Sequence, residues 1–218
     1  MKALFPLNLR SEFATFECGS GLLRRPRHAN TEWDQARYEV CGHRFCDVSE
    51  AAFGVAVLND CKYGYSVRHE TIGLSLLKAG EFPWEMTDKC RHSFTYSLLC
   101  HERPLTEPHP HGVFEHAMYL NSPLWAVALQ NPVTLPQLVS VSPQNIALTA
   151  FKRSEADCNA YIVRLAELIG QQTFMTVSLP FSFKSMHLCD GQENPTSPLS
   201  SLSFVIEAFK IVSIIIYI

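Results

Sequence analysis

Side chains suited to recognition chemistry concentrate between positions 28 and 63. If Arg37-Tyr38-Glu39-Val40-Cys41-Gly42-His43 is a strand, its period of two puts Arg37, Glu39, Cys41 and His43 on one face, with Tyr38 and Val40 on the other. Asn59-Asp60-Cys61-Lys62-Tyr63-Gly64 follows the apolar run 55–58, and a strand extended that far gives Asp60 and Lys62 a common face. Carboxylates accept, amides do both, and the arginine fork donates in a fixed geometry, which is what binding a hydroxyl-rich ligand requires. Trp33, Tyr38 and Tyr63 add aromatic faces. His28, beside Arg25 and Pro26, sits in a stretch that either lines a pocket or is a crossover loop with capped backbone groups. The alternative for Arg37, Glu39, Asp60 and Lys62 is a structural ion-pair network at a strand end.

Other chemistry is poorly supported. Glu39 and Asp60 are the carboxylates from which an autonomous acid/base pair would be drawn, but nothing in the sequence fixes the separation of about 5–5.5 Å that a retaining glycosidase needs. Cys41 and Cys46, with His43 between them, do not have a zinc-site spacing, and no second Cys/His pair matches them. His109-Pro110-His111 belongs to a proline-rich loop and reads as a solvated pair. No glycine-rich phosphate loop is present.

The elements that must position these residues read as strands. Phe13–Glu17, Ile72–Leu77 and Thr173–Leu179 have strand character, and 91–98 alternates so that His92, Phe94, Tyr96 and Leu98 share a face. Prolines at 104, 108 and 110, then at 132, 136 and 143, then Gly191, Pro195 and Pro198 mark loops. Residues 160–169 fit helical and strand spacing equally well. The run Ile211–Ile218 is too short to span a bilayer, which takes about 20 apolar residues, and its isoleucines predict a buried final strand. Together these signals predict an all-β antiparallel sandwich.

The 218 residues are 47% hydrophobic and 18% charged, with a net charge of −3, enough for one large β domain or two small ones. There is no basic patch to neutralise a phosphate backbone, so nucleic acid is not expected as a partner. Eight cysteines at irregular spacing, no apolar leader after Met1 and no glycosylation sequon favour a reducing compartment and no membrane association.

FPLNLRSEFATFE (5–17), RRPRHANTEWDQARYEVCGHRFCDVSE (24–50), FGVAVLNDCKYGYSVR (53–68), LSLLKAGEFPW (74–84) and RHSFTYSLLCH (91–101) resemble the C-terminal β-sandwich region of glycoside hydrolase family 38 α-mannosidases of the cytosolic/vacuolar type. The likeness is strongest over 3–101 and weaker over 113–218. It implies that 1–218 is a C-terminal sandwich of the galactose-mutarotase-like supersandwich type, and it favours a strand at Tyr161–Glu167. It further implies hydrolysis of terminal α-mannosides of free oligosaccharides in the cytoplasm, or alternatively a vacuole or lysosome. In that family the nucleophile and the zinc (or cobalt) ligands lie in an N-terminal α/β domain followed by a helical domain, and the chain is expected to begin inside the sandwich, to hold no cofactor and to be inactive alone. Its expected partners are those two domains, a mannose-containing oligosaccharide and, as family members oligomerise, a further copy. Arg37, Glu39, Asn59, Asp60, Lys62, His28, Trp33 and Tyr63 are the expected substrate-side residues. Arg27, Glu32, Phe45, Cys46 and Ser93 depart from the family pattern. A stand-alone carbohydrate-binding or pseudoenzyme module is the second reading, and a purely structural or assembly module the third.

Overall fold

A computed structural model describes the chain except for residues 83, 86, 87, 103, 104, 106–111, 129, 132 and 134–138. The His109-Pro110-His111 pair, Pro104, Pro108, Pro132 and Pro136 lie outside the described residues. The rest divides into two compact units, Met1–Trp125 and Ala126–Ile218. The single span 1–218 suggested by the sequence is thus carried by two units, each with its own core.

In the first unit the elements run β1 (Lys2–Pro6), β2 (Phe13–Glu17), β3 (Leu22–Pro26), α1 (Glu32–Ala36), β4 (Val40–Cys41), β5 (Phe45–Ser49), β6 (Gly54–Asn59), β7 (Gly64–Arg68), β8 (Thr71–Ser75), β9 (Tyr96–His101) and α2 (Val113–Asn121). They form two antiparallel sheets ordered β1-β8-β7-β4 and β3-β2-β5-β6-β9. Phe16, Cys46, Val48, Val55 and Val57 of the larger sheet pack on Tyr65, Ile72 and Leu74 of the smaller. The opposite face of the larger sheet, with Phe45, Ala56 and Leu58, is covered by Val113 and Ala117 of α2. Burial on both faces explains why β6 reads as a continuous apolar run over 55–58 rather than an alternating one.

Two expectations for this unit are corrected. Residues 37–43 do not form one polar-faced strand. Thr31 caps a short helix in a reciprocal capping box with Asp34, drawing 32–36 into α1, and only Val40–Cys41 pairs with β7. Arg37, Glu39, Cys41 and His43 therefore share no strand face. The strand expected at 91–98 begins at Tyr96, and of its supposed inner face only Phe94 is half-buried, while His92, Tyr96 and Leu98 are exposed.

The second unit comprises β10 (Ser140–Ser142), β11 (Ile146–Arg153), β12 (Ala160–Glu167), β13 (Thr173–Ser178), β14 (Ser185–Cys189), β15 (Pro195–Pro198), β16 (Ser203–Ile206) and β17 (Ile211–Tyr217), in antiparallel sheets ordered β10-β13-β16 and β11-β12-β17-β14-β15. Met175, Val177 and Ile206 meet Val163, Leu165, Ile214 and Ile216 across the core. The ambiguous segment is the strand β12, and the isoleucine-rich end is the central strand β17, paired on both sides. Among the described residues no helix is long and apolar enough to cross a membrane.

Candidate functional site

The polar residues of the first unit converge where β6 ends. Asn59, the last residue of β6, is 1% exposed. Its Nδ2 donates to His43 O at 2.8 Å and to the Tyr65 hydroxyl, and its Oδ1 accepts from Lys62 N. Asn121 Nδ2, at the end of α2, donates to Asn59 O at 3.0 Å and to Ala117 O at 2.8 Å. The loop after β6 is thereby fixed by an amide that bonds on both sides and by the helix end above it. Burial of the Tyr65 phenol pushes its pKa up, so it stays a neutral partner in this network.

Asp60, next in the chain, receives Thr95 N on Oδ2 at 3.0 Å, and its own N–H donates to Thr95 O at 3.1 Å. Burial opposes ionisation of Asp60, but the neighbouring Cys61 thiol and the Thr95 N–H outweigh it and hold its pKa below the usual carboxylate value. Tyr63 is exposed and meets the His43 ring edge-on, with centroids 5.4 Å apart. Glu17, the last residue of β2, is fully buried and accepts from Arg44 N at 3.0 Å and Arg44 Nη2 at 3.1 Å. Glu17, Gly19, His43, Arg44, Asn59, Asp60, Tyr63 and Asn121 line a depression of about 140 Å³. That volume admits several waters or one small polar group, but falls short of the roughly 300 Å³ at which whole-ligand pockets begin.

Of the residues singled out in the sequence, the fold brings Asn59, Asp60 and Tyr63 together here. Lys62 lies with its ammonium 4.7 Å from the Phe94 ring centre. Glu39 pairs with Lys2 at 2.6 Å, and this hydrogen-bonded ammonium holds its carboxyl below the usual range. Glu39, Asp60 and Lys62 thus engage separate partners, and the four charges anticipated as one ion-pair network do not form it. His28 and Arg37 line a different and smaller cavity beside α1, where His28 Nδ1 lies 3.5 Å from Asp34 Oδ2. Trp33, on α1, is 80% exposed and is not among the residues that line the depression.

Glu17, Arg44 and Asn121 were not singled out. Glu17 ends an apolar strand, the usual place for a solvated acid, and its burial depends on Arg44, 27 positions away. Asn121 had only a helical signal, the spacing of Val113 and Ala117. Among the described residues no group of three or more His, Cys, Asp or Glu side chains is arranged to hold a metal ion.

Residues 1–86 match the glycosyl hydrolases family 38 C-terminal domain, and residues 145–214 match the family 38 C-terminal beta sandwich domain. Alpha-mannosidase 2C1 of Mus musculus is 40% identical over 207 residues, covering 92% of this chain and 20% of that protein. An alpha-mannosidase of Saccharomyces cerevisiae is 30% identical over 207 residues, covering 88% of this chain and 19% of that protein. The crystal structure of an alpha-mannosidase from Enterococcus faecalis V583 superposes with a TM-score of 0.81 at 19% identity, over 100% of this chain and 25% of that one, and so shares the fold. This chain spans about a fifth of the length of the curated relatives it matches. The chain belongs to glycosyl hydrolase family 38, as a C-terminal β-sandwich region of that family.

Proposed function

We propose that this chain serves as the non-catalytic C-terminal region of an α-mannosidase acting on terminal α-mannosides of free oligosaccharides in the cytoplasm, where it braces the catalytic domain and gives one wall of its sugar pocket. The observation that carries this reading is the depression at the end of β6. Asp60, Tyr63, His43 and Arg44 stand around it on a scaffold fixed by buried Asn59 and Asn121. A carboxylate held ionised accepts hydroxyl hydrogen bonds, a guanidinium donates them, and an aromatic ring covers the apolar side of a sugar. The small size of the depression suits a wall better than a complete pocket. The names of the curated relatives supply the α-mannosidase part of the proposal. The zinc or cobalt of such an enzyme would be held by the catalytic domain, and no step of the proposal runs through this chain's own residues as ligands.

The test has two arms. Purified chain is assayed on a chromogenic α-mannoside with zinc or cobalt added, and mannose is titrated against it by NMR. The expected result is no turnover, with weak mannose binding that Asp60→Asn and Tyr63→Ala reduce. Turnover abolished by Glu39→Gln or Asp60→Asn would place an acid/base pair in the sandwich and overturn the non-catalytic assignment. Mannose binding that both variants leave intact would overturn the wall.

A further inference from the structure

A third cavity in the first unit shares no lining residue with the depression at β6, shares Arg27, His28, Ala29 and Arg68 with the small cavity beside α1, and is larger than either, about 840 Å³. It is lined by residues 9–13, 27–29 and 68–70. Two half-buried arginines stand in it. Arg27 donates from Nη1 to Leu9 O at 3.3 Å and Ser11 O at 3.0 Å, and from Nη2 to His69 O. Arg68 donates from Nη2 to Gln35 O at 2.6 Å and Asp34 O at 3.4 Å. All of these partners are backbone carbonyls. Among the described residues neither guanidinium has a carboxylate within ion-pair distance, although Glu12 and Glu70 also line the cavity.

We propose that this cavity is a binding site for a small oxyanion, a phosphate or carboxylate group seated on Arg27 and Arg68 with His28 and His69 beside them. Carbonyl partners orient a guanidinium without neutralising it, so each fork is fixed in position with no carboxylate in ion-pair contact, the Glu70 charge reaching Arg27 only from beyond that distance. An arginine partly withdrawn from water without a counter-charge gains most from an anion, because the new bond is charge-assisted and the desolvation has already occurred. Burial does lower the Arg27 pKa, against the opposing charge of Glu70. The volume falls within the range of small-molecule pockets, roughly 300–1,000 Å³.

The test is calorimetric titration of the full chain with inorganic phosphate at low ionic strength, with acetate as the carboxylate arm. Saturable binding is expected, weakened about tenfold in Arg68→Gln, the loss of one charge-assisted fork. Arg91→Gln, an exposed arginine that does not line the cavity, changes it by less than about twofold, as a surface charge should. The ratio of phosphate to acetate affinity tells which anion the site prefers. No saturation with either anion, or an equal loss in Arg91→Gln, overturns the site in favour of diffuse electrostatics. If Arg68→Gln does not fold, amide shifts of the wild-type chain on adding phosphate decide: changes centred on 27–28 and 68–69 support the site, and changes elsewhere overturn it.

Discussion

Glu17 and Glu167 are each the last residue of a strand, β2 in the first unit and β12 in the second, and each is fully buried. They are satisfied in opposite ways. Glu167 Oε1 accepts from Asn145 Nδ2 and Ile169 N, both at 3.0 Å, and its Oε2 accepts from Gly170 N at 2.8 Å, Phe209 N at 2.9 Å and Gln171 N at 3.1 Å. Gly170 makes this turn possible: its φ is +81°, and a Cβ there would stand 2.5 Å from the Phe209 ring. Glu17 has the two Arg44 donors and a depression beside it. A carboxylate saturated by backbone N–H groups is a knot that fastens the chain. One satisfied by a single arginine, itself 28% exposed, retains acceptor capacity and a route to solvent. The first kind carries fold, and the second is where a binding role can reside.

The sharpest way to break that contrast is Glu167→Gln. The amide keeps one acceptor but turns an NH₂ toward backbone donors on the other side, so the second unit should lose about 3 kcal/mol or more. Peptide-level hydrogen exchange under denaturant should show the loss in 139–218 and not in 1–125. The same carboxylate sets an acid limit. Burial of Glu167 opposes ionisation, but the hydrogen bonds led by Phe209 N outweigh it and its pKa is lowered on folding. Its stabilisation is therefore fully present above the unfolded carboxylate value, about 4.3, and is lost as pH falls through the depressed folded value. Protection of 139–218 should decline below pH 4 in the wild type, and in Glu167→Gln this part of the pH dependence should vanish.

Arg44→Met comes next. It leaves the Glu17 carboxylate buried with one backbone donor and no cation, at a cost of about 2 kcal/mol to the first unit, less than for a fully buried pair because Arg44 is partly solvated. Glu17→Gln should cost only about 1 kcal/mol, since the amide oxygen still accepts from Arg44 N. The double variant Glu17→Gln/Arg44→Met should be more stable than Arg44→Met alone, because no charge is then stranded. If Glu17→Gln instead costs as much as Glu167→Gln by denaturant titration, the two carboxylates are not different in kind.

These contrasts also mark what could be read before the fold was known. β2 and β17 were legible because apolar side chains at strand spacing, or a run of isoleucines, have no comparable alternative use once a sandwich is in view, whereas β12 fitted helical and strand spacing equally well and was read as a strand only through the resemblance. The resemblance reached the family for the same reason, through contiguous blocks. The polar strand at 37–43 was misread because the competing signal is short: Thr31 and Asp34 satisfy a helix start between them, and five residues of helix suffice to move Arg37 and Glu39 off the strand. Glu17 and Glu167 were invisible as special residues. An acid after an apolar run looks solvated, and part of what satisfies these two is distant in sequence: Arg44 is 27 positions from Glu17, and Asn145 and Phe209 are 22 and 42 positions from Glu167, whose other donors are the backbone of the turn that follows it. Asn59, Asp60 and Tyr63 were found together because they are neighbours in the chain, whereas Arg37 and Glu39 were grouped with them on a strand that does not form, and His28 through a loop expected beside that strand.

Asp60→Asn is the smallest expected change in stability and the most informative about function. Asp60 keeps a backbone link to Thr95 that does not depend on its side chain, and the amide oxygen can still accept from Thr95 N. The stability cost should therefore stay below about 1 kcal/mol, the net value of one hydrogen bond. The carboxylate's charge is a different matter. Its pKa is held low, so it is ionised throughout the neutral range, and a hydroxyl bonded to it is bonded to a charge. Removing that charge should weaken mannose binding about tenfold, the difference between a charged and a neutral acceptor. NMR titration and denaturant unfolding of the same variant separate the two roles. Weakened binding with intact stability assigns Asp60 to the ligand. Lost stability with unchanged binding would make Asp60 a second knot like Glu167, one that ties the loop after β6 to Thr95 and lends nothing to a sugar.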